Sequence, residues 1–432
     1  MVRGAVFQLA AIGRQNIDLI GNPQLSYFVS VYKRHTNFTY QDIRQNITGD
    51  ANYGKKIQYK LNKVGDLIGA MYLNIVLPDL DDLNTDKSDP VSWVNAVGHA
   101  IIRSYSIRIG ETIIDKQYGT WLEIWSELTV NNDHRTAYNN LVGKHNYFTN
   151  STQTGSLELY IPLQFWFCKN VSLALPIIAL QRQDVIIEFE FSDFDELVTT
   201  RDPVIATDKQ FKCEFYIKNY FLDDAERKVF ARNKYRYLIE QLQIQTISFD
   251  RSTTEKVIDI PFNHPVKELI WVAQRQDSVN YIDDSGTEII NNLFNFSNVP
   301  DPTVSTTDNN TVLSSNFVFE GNDYFEDRRT TTGSGSSSVP SYYFRIVQPY
   351  EHHSRTPVNR YINVYSFALN PEEHQPSGSL NFSMIDNAYL KIVLNPHNES
   401  NEISNQYFIT VFATNYNILS IEDGIASLEY VD

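Results

Sequence analysis

Sulfur and positive charge are both scarce in this chain of 432 residues. Cys168 and Cys213 are its only cysteines, and no CxxC spacing exists. A disulfide framework and a cysteine-built zinc site are therefore excluded, and a reducing compartment fits best. Lys and Arg number 36 against 52 Asp and Glu, a net charge of −16. Non-specific phosphate binding needs clustered bases that release counterions, so a nucleic-acid coat is disfavoured and no sequence-specific nucleic-acid partner is expected. No apolar run approaches the ~18 residues of a membrane-spanning helix. The opening Met1–Ala11 imitates a leader, but Gly4 and Gln8 interrupt it and Arg14-Gln15 soon follow, so cleavage is not expected.

Catalytic motifs are missing as well. There is no GxSxG elbow, P-loop, GxGxxG or HExxH. A metal-dependent oxygenase or isomerase on a β-sandwich needs a His-x-His or His-x-carboxylate pair, and the chain has no His-x-His. His99, His134, His145, His264, His374 and His397 are scattered, and His352-His353 would point to opposite faces of a strand. Glu351-His352-His353 reads as an exposed loop pair rather than a metal site. The acidic stretch Asp79–Pro90 fails as a calcium loop, with Leu83, Asn84 and Pro90 where an oxygen ligand, Gly and Glu are needed. It reads as a solvated loop. No catalytic, cofactor-binding or metal-ligating residue is assigned, and the chain is not expected to be an enzyme.

Aromatic residues and β-branched strands are what the chain does have: 25 Phe, 26 Tyr and 5 Trp, enough with its length to bury a large core. Segments 57–61, 70–77, 101–109, 157–161, 185–191 and 211–222 read as strands, bounded by Gly, Pro, Asn or Asp. A second set lies at 237–249, 257–260, 268–273, 316–319, 342–347, 363–369, 388–394 and 407–417. Alternation such as Glu188-Phe189-Glu190-Phe191 marks strands with one wet face. Two stretches predict helices: Gly119–Thr129, with Trp121, Ile124, Trp125 and Leu128 at helical spacing, and Asp223–Arg232, capped by Asp223 or Asp224. Residues 275–315 and the Thr330–Ser338 tract read as long polar loops.

The strand sets repeat. Asn219-Tyr220-Phe221-Leu222 is echoed by Asn415-Tyr416-Asn417-Ile418-Leu419 at an offset of 196, and the pattern of residues 65–73 by residues 263–271 at an offset of 198. Similarity at so long a period signals a repeated unit. Each copy suits an antiparallel sandwich that hides its edges by Greek-key winding. The expected class is all-β, with two tandem eight-stranded jelly-roll sandwiches and short helices in loops. The expected division is an arm over 1–24, a first sandwich over 25–222, a linker with a short helix over 223–236 and a second sandwich over 237–432. Charge is uneven: residues 1–60 hold eight bases and three acids, a net of +5, whereas residues 373–432 hold one base, Lys391, and eight acids, a net of −7.

Asn-x-Ser/Thr triplets occur at Asn37, Asn46, Asn150, Asn170, Asn295, Asn309, Asn381 and Asn398. Chance is the stronger explanation in a chain rich in Asn and Thr, although Asn295 and Asn309 sit in loops where a glycan has room. Trp121 and Trp125 suggest core packing before sugar stacking. A carbohydrate-binding surface sandwich, the metal-dependent enzyme above and a lone vertex protein are the competing readings.

A family resemblance rests on dispersed blocks in order. Gly21-Asn22-Pro23-Gln24, Phe28, Val31–Phe38 and Gly65-Asp66-Leu67-Ile68 open the series. Leu173–Gln181, Tyr237–Gln243, Phe262-Asn263-His264-Pro265, Tyr365–Pro371, Gln375–Ala388 and Asn415-Tyr416-Asn417 complete it. Together they resemble the major capsid proteins of nucleocytoplasmic large DNA viruses, especially those of algae and amoebae, departing mainly in loops 79–98 and 275–341. The resemblance implies a double jelly roll that forms a homotrimer, a pseudo-hexagonal capsomer tiling an icosahedral shell. It implies neighbouring capsomers, minor capsid and penton proteins as partners, and residence in a virion assembled in the host cytoplasm. Helix 119–129 and the aromatic strand ends are the expected subunit contacts, and the N-terminal arm is expected to tie the capsomer base to a neighbour, a minor protein or an internal membrane.

Overall fold

The structure, a computed structural model, describes residues 6, 9–45, 49–80, 83, 91–144, 156–199, 209–250, 254–276, 281–282, 289–290, 292–298, 309–326, 339–395 and 406–431. Most of the acidic stretch, the Thr330–Ser338 tract, His145, His397 and the triplets at Asn46, Asn150 and Asn398 lie outside the described residues. The chain divides into two units, Met1–Asn37 and Phe38–Asp432. In the first, the 3-10 turn Arg14–Asn16 runs into a short helix, Ile17–Ile20, and Leu19, Tyr27, Phe28 and Tyr32 are exposed.

The second unit holds both sandwiches. The strands of the first are β1 (Phe38–Gln45), β2 (Lys56–Lys60), β3 (Leu67–Leu77), β4 (Ile102–Ile109), β5 (Thr112–Tyr118), β6 (Leu157–Pro162), β7 (Val185–Phe191) and β8 (Lys212–Leu222). They form two four-stranded antiparallel sheets, ordered β1-β8-β3-β6 and β2-β7-β4-β5. The second sandwich runs through β9 (Tyr235–Asp250), β10 (Glu255–Asp259), β11 (Pro265–Arg275), β12 (Val312–Phe319), β13 (Asn322–Asp323), β14 (Asn363–Ser366), β15 (Ala388–Leu394) and β16 (Gln406–Glu422). Its sheets are ordered β9-β16-β11-β14 and β10-β15-β12-β13. Each strand of the second set holds the place of the strand eight positions earlier, so the duplication is one of topology. The fold is a double jelly roll. One place is weak in the second copy: β13 spans two residues, and the separate pair Val339–Pro340 also bonds to β12.

Alternation explains the cores. In β7 and β15 every second residue is buried, so Val185, Ile187, Phe189 and Phe191 face inward as Leu390, Ile392 and Leu394 do. In the first core Phe189 meets Tyr59 of its own sheet at 5.6 Å and Phe215 of the facing sheet at 5.4 Å. In the second core Trp271 meets Phe317 at 5.5 Å and Phe344 at 5.0 Å. Such edge-to-face pairs add to the area buried, by about 0.5–1.5 kcal/mol each.

Three helices matter below: α1 (Gly119–Thr129), α2 (Asn132–Val142) and α3 (Asp224–Arg232). The Asp223 carboxylate caps α3, accepting from the Glu226 amide at 2.9 Å. One expectation fails. Residues 342–347 are not a strand but enter a π-helical turn, Tyr343–Val347, that continues as the helix Gln348–His352. Tyr, Phe, Ile and Val, interrupted only by Arg345, favour a strand by propensity. Here Phe344 drops into the aromatic core against Trp271, and packing overrides propensity.

Candidate functional site: the junction of the two sandwiches

Helix α1 starts where β5 ends, and its first residue decides how close it lies. A Cβ on Gly119 would stand 2.2 Å from the carbonyl oxygens of His99 and Ile102, so only glycine permits this approach. Trp121, Ile124, Trp125 and Leu128 then form one stripe at i, i+3, i+4 and i+7. That stripe does not face solvent or await another chain. It packs on Ile270, Val272, Val364 and Phe412 of the second sandwich, with Leu242 and Ile244 beside them.

These residues alternate with Leu269, Trp271, Val411 and Ala413, which face the second core, so α1 seals the outer face of the sheet β9-β16-β11-β14. Trp121 stacks on Trp125 at 5.4 Å and meets Phe412 at 5.4 Å. The expectation that helix 119–129 contacts other subunits is therefore corrected: its apolar surface is consumed inside one chain. The same burial, 1% exposure for Trp121 and 6% for Trp125, removes the pair as a sugar platform.

The other side of α1 carries two buried carboxylates. Glu127 binds Arg135 at 2.6 Å and Lys144 from the first sandwich, and Arg360 at 2.9 Å and Arg355 from the second. Glu123 meets Lys144, and the His99 ring at 2.8 Å. Burial alone would raise both carboxyl pKa values, but Lys144 and the neighbouring cationic and imidazole groups prevail. They hold Glu123 down to about 2 and Glu127 well below the usual range. Burial pushes His99 down, toward the neutral form, and its second nitrogen lies 3.0 Å from the Tyr138 hydroxyl. Removing one partner of such a network strands a charge in low dielectric, at a cost of about 3–5 kcal/mol.

Other bonds cross the same seam. Glu240 on β9 takes Lys169 of the first sandwich at 3.1 Å and Lys267 at 2.6 Å. Burial opposes its ionisation, yet the two ammonium groups hold it down to about 2. Asp115 on β5 accepts from the Leu242 amide at 3.1 Å, while burial raises its carboxyl to about 6. The Gln183 side chain accepts from the Ala426 amide at 2.7 Å. Apolar stripe, charge network and backbone bonds together make the two sandwiches one body, which sequence spacing alone does not reveal.

The histidine pair also departs from expectation. His352 ends its helix, whereas the His353 side chain is fully buried, 3.2 Å from Glu268 and 3.1 Å from Glu372. Its ring meets Trp125 edge-on at 6.3 Å, tying it to the junction. Burial by itself would lower its pKa, but the two carboxylates beside it raise it to about 9. Among the described residues no three His, Cys, Asp or Glu side chains are grouped to hold a metal ion.

The triplets at Asn295 and Asn309 have no room for a glycan, being 1% and 4% exposed. Asn295, Asn170 and Asn381 instead accept from the amide of the Ser two residues on, at 3.0, 3.0 and 3.1 Å. These side-chain turns explain the Asn-x-Ser spacing locally.

Two like jelly rolls, fused in one chain through a buried seam, define the double jelly-roll class of capsid proteins. A model described as "Major capsid protein N-terminus" matches residues 26–223, and one described as "Large eukaryotic DNA virus major capsid protein" matches residues 226–427. The chain belongs to this family, the major capsid proteins of large eukaryotic DNA viruses, and its role is structural.

The major capsid proteins of Pyramimonas orientalis virus and Phaeocystis pouchetii virus are 36% and 32% identical to it, over 99% of each chain. The crystal structure of VP54 of Paramecium bursaria Chlorella virus 1, fitted into a reconstruction of the virophage Sputnik, superposes with a TM-score of 0.77 at 27% identity. It covers 94% of this chain and 100% of that one. The Faustovirus major capsid protein, at 12% identity, shares the fold with a TM-score of 0.73 over 95% of this chain and 94% of its own.

Proposed function

We propose that three copies of this chain associate as a homotrimeric, pseudo-hexagonal capsomer, and that such capsomers tile the icosahedral shell of a large double-stranded DNA virus. The observation that carries the reading is the direction of the internal contact. A helix of the first sandwich lies on a sheet face of the second, which is a head-to-tail joint between like bodies. Such joints generate rings when the rotation closes. Three chains of two sandwiches present six similar lobes around a threefold axis.

Within this reading residues 25–222 and 237–432 serve as the two lobes and residues 223–236, with α3, as the linker between them. Residues 1–24 form an arm toward neighbouring capsomers, minor capsid or penton proteins or an internal membrane. The basic excess of the first 60 residues supports that placement, since it contrasts with the acidic last 60. Contacts between capsomers are weaker and more polar than those within one, so that misplaced units dissociate. No reaction is assigned to the chain.

Native mass decides the central point. Light scattering at neutral pH is expected to give about 150 kDa, three times 49.8 kDa. A species that stays monomeric as concentration rises would sink the proposal.

A further inference from the structure

The two sandwiches present corresponding sheet faces that differ in one respect. In the second, α1 covers the outer face of β9-β16-β11-β14. In the first, the matching face of β1-β8-β3-β6 is left open by the described residues, except at the β6 margin where α2 packs. Strand register aligns the two faces residue by residue. Tyr216 stands between Arg44 and Tyr72, as Phe412 stands between Ile244 and Ile270. The covered face is aliphatic and aromatic. The open one carries Tyr72, Tyr160 and Tyr216 among charged groups, with Arg44 on Glu214 at 2.9 Å and the Tyr160 and Tyr216 hydroxyls donating to Glu158 and Glu214 at 3.0 and 2.6 Å. A depression of about 450 Å³ opens there, lined by Asp42, Tyr72, Leu141, Tyr160 and Tyr216.

The counterpart of α1 in the second sandwich is the helical segment 341–352. It joins the fifth and sixth strands, as α1 does in the first. Phe344 points into the core. On the other side Tyr342 and Tyr350, 62% and 79% exposed, flank the half-buried Ile346 at a spacing of four residues. That is one stripe of a helix.

We propose that the stripe Tyr342–Ile346–Tyr350 of one copy is laid on the Tyr72–Tyr160–Tyr216 face of a second copy of this chain, so that the contact between chains repeats the contact within a chain. The inference rests on the trimer reading above and names the residues that make it. Tyrosine suits both sides, because its ring contributes to a buried interface while its hydroxyl tolerates water before association.

The test is a charge swap on the full chain, read by light scattering for mass and by circular dichroism for folding. Tyr216→Arg and Tyr342→Glu, each alone, are expected to weaken association at least ~30-fold and leave folded monomers. The double variant puts arginine on one side of every joint and glutamate on the other and is expected to recover the trimer. If Tyr216→Arg does not fold, Tyr160→Arg, at the 40% exposed margin of the face, takes its place. Trimers from the single variants, or a double variant that stays monomeric, overturn the assignment while leaving the trimer reading intact. A monomeric wild-type chain removes the trimer reading itself.

Discussion

His353 shows how far a residue's chemistry departs from its sequence setting. Beside His352 and Glu351 it reads as half of an exposed pair, because neither Glu268 nor Glu372 is near it in sequence. Burial alone would lower its pKa, but those two carboxylates raise it from 6.5 to about 9. A raised cationic pKa gives stability that is complete below the unfolded value and is lost as pH climbs through the folded one. Unfolding free energy is therefore expected to fall, by on the order of 3 kcal/mol, between about pH 6.5 and pH 9. Urea melts across that window measure it. His353→Gln should flatten the decline, and an equally steep decline in that variant would assign the effect elsewhere.

At the scale of the element, α1 is the joint. Trp121 is buried against Phe412 and Trp125, so Trp121→Ala is expected to cost about 3–5 kcal/mol in denaturant unfolding. A loss under about 1 kcal/mol would mean the seam is not packed as described.

The extent of α1 was legible from its 3.6-residue period, and β7 and β15 from strict alternation. What the stripe covers was not legible, because periodicity shows that a face is apolar without naming its partner. Strand β1 was missed for the opposite reason: seven of its eight residues are exposed or half-buried, so Thr39, Gln41 and Asp42 break any apolar pattern. Helix α2 was hidden by Asn132, Asn139 and Asn140, which favour turns by propensity. The helix over 343–352 was read partly as strand because aromatic and β-branched residues there answer to the core rather than to backbone preference.

For the whole molecule the duplication was the legible part, since its offsets of 196 and 198 residues survive as matching strand order. The arm is where function and fold separate. Leu9 and Leu19 of the proposed arm are exposed, so deleting residues 1–24 is expected to leave the folding transition and the number of chains per assembly unit unchanged while shell formation declines. Electron microscopy of the assembly products provides the check, and normal shells from the truncated chain would refute the arm's role.

In the proposed trimer the seam also bears on how quickly a six-lobed ring would be made. Six separate sandwiches need five successive encounters in solution, each diluted by the cell, whereas three fused pairs need two. A tether raises the local concentration of its ends to the millimolar range, so half of the joints close during folding itself. On that reading the kinetic order of capsomer formation would drop accordingly, and partial rings with an odd number of lobes would never arise.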